Sequence, residues 1–138
     1  MKLKSLDYVV LIVNDIDESQ RFYTETLGLP LKHRRGSYAQ IESGETRLGL
    51  FSQAAMVSII GDAAESTHTT VGAKFELGFK VDDCDSVFAE LVRDEVPVIA
   101  PPQTRSWGQR TAYLADPDGN LIELVEDISD GIKSCCTE

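Results

Sequence analysis

The chain is poor in the residues from which metal centres and covalent cross-links are built. Its 138 residues include two histidines and three cysteines. Cys84, Cys135 and Cys136 have neither the number nor the spacing of a disulfide framework or a zinc motif. Cys84 sits in an apolar pattern and reads as a small core residue, whereas Cys135 and Cys136 fall in a terminal "GIKSCCTE" that reads as a frayed tail. Long hydrophobic runs are missing too. Nothing approaches the roughly 20 apolar residues of a membrane span. The opening "MKLKSLDYVV" has two lysines but neither the apolar region nor the cleavage site of a signal peptide, so a cytoplasmic location is expected. Basic charge is scarce: 13 Lys and Arg stand against 23 Asp and Glu, a net charge of −10. That balance argues against nucleic acid or anionic membrane as partners, since phosphate binding needs a basic face. It favours neutral or cationic ligands.

What the chain does contain is ordinary for one globular domain, 42% hydrophobic and 26% charged. "LDYVVLIVND" predicts a β-branched strand over Tyr8–Val13, followed by a helix from about Asp15 to Leu27. Asp15 and Glu18 open that helix as a capping box, Gly28 caps its end, and Ile16, Phe22, Tyr23 and Leu27 form its apolar stripe. Strands are expected near Leu31–Arg35, Tyr38–Glu42 and Arg47–Ser52. Residues 54–74 carry small residues, Ser, Thr and Gly, with little periodicity and read as a linker. The order then repeats. "FELGFKVDDCDS" begins a strand, and Asp83 to about Glu95 a helix with Val87, Phe88, Leu91 and Val92 as its stripe. Strands follow near Val98–Ala100, Arg110–Ala115 and Asn120–Glu126.

Sliding the chain by 68 residues lays Val9 on Leu77, Leu11 on Phe79, Val13 on Val81 and Asp15 on Asp83. Sliding it by 74 lays Leu48 and Leu50 on Ile122 and Leu124. The reading is therefore α+β: two βαβββ modules, about 5–53 and 75–127, making one domain over residues 1–127, with 128–138 as a tail. Each helix covers one face of its own sheet, and the uncovered faces curl around a cleft. Period-two alternation turns Tyr8, Val10, Ile12, Arg47, Gly49, Phe51, Glu76, Gly78, Lys80, Leu121, Glu123 and Val125 toward that cleft. A carboxylate at Glu123, inside an apolar strand, is costly unless it meets a donor, water or a cation. Expected neutralising partners are Tyr8, Lys80 and Arg47; the other reading is a cleft carboxylate paired with Glu76.

"LDYVVLIVNDIDESQRFYTETLGL", "LGFKVDDCD" and "WGQRTAYLADPDGNLIEL" resemble the glyoxalase / bleomycin-resistance / extradiol-dioxygenase superfamily, the vicinal-oxygen-chelate proteins, over roughly Leu3 to Glu126. The resemblance implies metal-ligand positions on the first and last strand of each module, here Tyr8, Gly49, Glu76 and Glu123. Tyr8 stands where a histidine is usual and Gly49 offers no side chain. Two of four donors survive, a weak site for a divalent metal at Glu76 and Glu123, and no cofactor is expected. His33 and His68 are not at ligand positions and read as surface residues. The bleomycin-resistance proteins also place a Trp-Gly ahead of the penultimate strand, matched by Trp107, which implies ring stacking on a ligand; a packing role weighs equally. Phe51 and Tyr113 are further aromatic candidates.

The resulting expectation is a homodimer that binds a small organic ligand through Trp107, Tyr8, Glu76, Glu123, Phe51 and Tyr113, resembling antibiotic sequestration rather than catalysis. The alternative is a metal-dependent lyase or isomerase, epimerase or dioxygenase of the same superfamily.

Overall fold

The computed structural model describes residues 4, 6–61 and 75–128. The chain divides into two compact units, Met1–Val71 and Gly72–Glu138. His68, Cys135 and Cys136, most of the expected linker and most of the expected tail lie outside the described residues.

In the first unit, β1 (Tyr8–Val13) leads into α1 (Ile16–Arg21), which continues as a π-helical turn over Phe22–Thr26. Asp15 caps α1 by accepting from the Glu18 N–H at 3.1 Å. The widened turn lets both Phe22 and Tyr23, neighbours in sequence, reach buried positions, their rings meeting edge to face at 5.0 Å. Three strands follow: β2 (Leu31–Arg35), β3 (Tyr38–Ile41) and β4 (Arg47–Ser52), in the order β1-β4-β3-β2. β1 runs parallel to β4 and the other pairs are antiparallel. Where a linker was expected to begin, Ser52 caps a second helix, α2 (Gln53–Ile60), by accepting from the Ala55 N–H. A mostly apolar stretch broken only by Gln53 and Ser58 has no clear 3.6-residue alternation to announce such a helix, and α2 buries none of its residues.

The second unit repeats the plan with β5 (Glu76–Lys80), α3 (Cys84–Arg93), β6 (Val98–Thr104), β7 (Gln109–Ala115) and β8 (Leu121–Asp127), ordered β5-β8-β7-β6. Asp83 caps α3 as Asp15 caps α1, its carboxylate accepting from the Ser86 N–H. The ladders repeat too. Tyr8 pairs with Arg47 and Val9 with Leu48 in β1/β4, while Glu76 pairs with Leu121 and Leu77 with Ile122 in β5/β8. The sequence offsets of 68 and 74 thus reproduce the strand register residue for residue.

Each core lies between its helix and one sheet face. Leu11, Val13, Ile41, Leu48 and Leu50 are buried in the first unit, and Leu91, Ala112, Leu114, Ile122 and Leu124 in the second. Cys84 is fully buried, as expected of a small core residue. Val92, expected on the α3 stripe, is instead exposed, because Leu91 takes the buried position beside it. β6 is four residues longer than expected and contains Pro101 and Pro102. Proline cannot donate to a ladder, but β6 is a terminal strand and its pairing shifts register between Ala100 and Gln103. The other terminal strand of that type, β2, is exposed at every position and carries Lys32, His33, Arg34 and Arg35.

The turn "DPDGN" between β7 and β8 is organised by Asp116, only 3% exposed. Its carboxylate accepts from the Asp118 N–H at 2.9 Å, the Asn120 N–H at 2.7 Å and the Asn120 side-chain amide at 2.9 Å. Asp116→Ala is expected to strip three part-buried donors of their acceptor. The cost should be about 2–3 kcal/mol of unfolding free energy by urea titration, against about 1 kcal/mol for loss of the Asp83 cap in Asp83→Ala.

Candidate functional site

The faces turned away from the helices carry the polar groups, and the two units differ there. On the second unit's face, parallel pairing sets Gly78 beside Glu123, and antiparallel pairing sets Tyr113 on Glu123's other side. The missing side chain at Gly78 is used: a Cβ there would meet Glu123 Oε1 at 3.2 Å. Glu123 leans over the glycine, its other oxygen accepting from the Tyr113 hydroxyl at 2.9 Å. The Glu76 carboxyl lies beside Glu123, and hydrogen bonding to Glu123, then burial, then the neighbouring negative charge raise it from an ordinary 4.5 to about 6, which favours a proton held at the pair. Burial first, and donation to Glu123 second, push the Tyr113 phenol up.

Glu123's neutralising partner is therefore Tyr113, with Glu76, rather than the expected Tyr8, Lys80 or Arg47. Lys80 is engaged with Asp127 at 2.7 Å, and Arg47 pairs with Asp7 at 3.6 Å. Cross-strand pairing explains the correction. Tyr113 stands directly opposite Glu123, whereas Lys80 is beside Val125 and reaches down-strand to Asp127. Lys80 and Gln109 together hold the Asp127 carboxyl below its ordinary value.

Trp107 lies in the turn between β6 and β7, 43% exposed, its indole N–H donating to Gln109 Oε1 at 3.0 Å. Gln109 in turn donates to Asp127. Trp107 is thus tied to the Asp127 end of the face. Four strand residues separate Asp127 from Glu123, about 13 Å along β8.

On the first unit's face, Tyr38 is the organising residue, one that strand alternation alone did not single out. Its ring lies over Gly49, and a Cβ at Gly49 would fall 2.7 Å from the Tyr38 hydroxyl and 2.8 Å from its Cε1. The ring also contacts His33 at 5.8 Å and Phe51 at 6.4 Å between centroids. Its hydroxyl donates to Gln40 Oε1 at 3.2 Å. Burial, then the nearby Tyr8, raise the Tyr38 phenol, with Arg47 opposing. Phe51 is half-buried against Tyr38, and Tyr8 is 48% exposed. A recess of about 390 Å³ opens beside this face at the β3–β4 turn, lined by His33, Gln40, Glu42, Thr46 and Arg47 among others. None of the expected site residues lines it.

These residues do not fit the metal that the family resemblance implies. The Gly49 position holds no donor, and its side-chain space is filled by a phenol. Of the two carboxyls that remain, Glu123 accepts from Tyr113, and Glu76 beside it is held toward its protonated form. Among the described residues no group of three or more His, Cys, Asp and Glu is placed to hold an ion. No helix among them is long and apolar enough to cross a membrane.

Comparison with known proteins places this architecture. The family model described as a glyoxalase-like domain matches residues 6–129. The Bacillus subtilis protein YraH, described as uncharacterized, is 38% identical over 119 residues, covering 84% of this chain and 93% of its own. A bleomycin resistance protein of Klebsiella pneumoniae is 26% identical over 113 residues, 82% of this chain and 85% of its own. Among solved structures, a glyoxalase/bleomycin resistance protein/dioxygenase family enzyme from Burkholderia phytofirmans superposes with a TM-score of 0.79 at 22% identity, covering 91% of this chain and all of that one. The chain belongs to the glyoxalase-like family, within the glyoxalase / bleomycin-resistance / dioxygenase superfamily.

The carboxyl pair makes a pH prediction. A carboxyl whose folded value lies above its unfolded one adds stability at low pH, fully present below 4.5, and that stability is lost as pH rises through about 6. The melting temperature of Glu76→Gln minus that of the native chain, followed from pH 4 to 7.5, should rise across this window. A flat difference would mean that the two carboxyls do not share a proton.

Proposed function

We propose that this chain binds a small organic molecule on the second-unit face that carries Glu76, Glu123 and Tyr113, without a tightly held metal and without catalysis of its own. The carrying observation is the Tyr113–Glu123 hydrogen bond with Glu76 beside it, left half-open on the sheet face opposite α3. A shared proton gives this cluster both a donor and acceptors, able to meet an amine, a hydroxyl or an amide. The acidic composition and the bleomycin resistance relative support a sequestering role. Trp107, Tyr8 and Phe51 are proposed as further contacts for the ligand. The two modules are proposed to form a single domain over residues 1–127, and the protein to act as a homodimer in the cytoplasm, with neither nucleic acid nor membrane as partner. The rival reading is a metal-dependent lyase or isomerase, epimerase or dioxygenase with a divalent ion at Glu76 and Glu123. The Tyr38 ring over Gly49 argues against it.

A compound library read by Trp107 emission and by thermal shift tests the proposal. Glu123→Gln should weaken a hit about ten- to a hundredfold, the worth of a charge-assisted bond of roughly 1.5–3 kcal/mol, while the fold stays intact. Trp107→Ala should matter only for ligands long enough to span the roughly 13 Å between the two ends of the face. If Glu123→Gln lowers the melting temperature yet leaves every hit untouched, Glu123 is structural and the proposal fails. Protein purified without chelator should carry well below one equivalent of Zn, Ni, Fe or Mn, and stoichiometric metal surviving dialysis would promote the enzyme. Sedimentation should give twice the 15.2 kDa chain mass, and a stable monomer would refute the dimer.

A further inference from the structure

Arg105 is held on the same face as Tyr113 and Glu123, but on the other side of the tyrosine ring. Its backbone N–H closes the β6–β7 turn onto the Gln109 carbonyl at 2.7 Å, which sets the side chain on the Gln109, Thr111 and Tyr113 side of the sheet. From there Nε donates to Thr111 Oγ1 at 2.8 Å, Nη1 donates to Gln103 Oε1 at 3.1 Å, and the guanidinium carbon stands 6.0 Å from the centre of the Tyr113 ring. Thr111 is fully buried, so one anchor is fixed in the core.

The partners are all neutral. Arg105 joins none of the ion pairs formed by the described residues, whereas Arg34 is paired with Asp17 and Arg110 grips Asp85 with a double contact. A half-buried guanidinium in so acidic a chain, steered onto a threonine, a glutamine and an aromatic ring, keeps its charge uncompensated and its geometry fixed. Two of its five N–H donors are used in holding it, and the rest of the fork is available in the planar arrangement that matches an oxyanion. The ring beneath it stabilises the cation without neutralising it.

We propose that Arg105 is an anion-binding residue, taking the carboxylate, phosphonate or phosphate group of the ligand whose remainder lies across Tyr113 toward Glu123. The inference rests on the ligand-binding reading above and narrows its ligand to an organic oxyanion carrying an amine or hydroxyl at its other end. A brace for the hairpin is the competing role. It needs only the Thr111 and Gln103 bonds and predicts no response to anions.

Inorganic phosphate and acetate, titrated separately at constant ionic strength with chloride as the balancing ion, serve as probes. Trp107, two residues from Arg105, reports by its emission, and the arginine side-chain N–H signals report by NMR. The native chain should give a saturable response to at least one oxyanion in the millimolar range, and the tighter of the two separates phosphate-type from carboxylate ligands. Arg105→Gln should weaken that response at least tenfold. Arg105→Lys, which keeps the charge but not the fork, should fall between them, with melting temperature and circular dichroism recorded for both variants. No saturable response of the native chain to either anion would overturn the proposal, as would equal affinity in native and both variants. Should the oxyanions fail while a library compound still binds in a Glu123-dependent way, this inference falls and the ligand-binding reading stands. Oxyanion binding through Arg105 with no Glu123-dependent compound would leave the anion site standing and refute the Glu123 reading.

Discussion

The polar face of the second unit depends on one ladder position, the parallel pairing of Gly78 with Glu123. Parallel neighbours on one face sit close enough that any side chain at Gly78 would contest the space now held by a carboxylate oxygen. With that space open, Glu123 can fold across the strand, meet Glu76 and still accept from Tyr113 on the opposite neighbour. Three strands thereby contribute to one polar cluster. A slip of β8 by one residue would turn Glu123 toward α3, into the buried positions that Ile122 and Leu124 now hold, and would expel those two from the core.

The first unit has the same strand order and register but resolves the equivalent position in another way. Gly49 lies where Glu123 lies in the repeat, and the gap it leaves is filled from β3 by Tyr38 rather than from its own strand. An aromatic ring over a strand glycine restores the packing that the glycine gives up, as aromatic residues do over glycines elsewhere in β-sheets. The outcome is an aromatic face of His33, Tyr38 and Phe51 in one unit and an ionisable face in the other, built on one topology. Duplication of a backbone has not preserved the chemistry of its surface.

Much of this was legible in the sequence because it follows from periodicity. Alternation in "YVVLIV" and "LIELVED" sorted buried from open positions, and Asp15 and Asp83, 68 residues apart, marked both helix starts. The offsets of 68 and 74 carried the register itself. What escaped depends on partners several strands away or on local geometry that leaves no repeat. Tyr38 over Gly49, the Tyr113–Glu123 bond and the steering of Arg105 by Thr111 are cross-strand events, invisible until strand order and register are known. α2 went unread because its mostly apolar residues show no helical alternation, and the continuation of β6 because two prolines ordinarily end a strand.

Those prolines, and the cationic side chains of β2, act at the rims of the two sheets. A terminal strand presents unpaired amides and carbonyls that a stray extended segment can extend, the first step toward open-ended association. Pro101 and Pro102 withdraw two amides from β6 outright and break its line with a register shift. β2 has no proline and instead carries the long charged side chains of Lys32, Arg34 and Arg35, the first two paired with Glu42 and Asp17. These two of the four terminal strands are thus guarded by unlike means, one by removing hydrogen-bond donors and one by charged side chains. Of these two, only the guard on β2 involves charge, so it is the one that concentrated salt weakens.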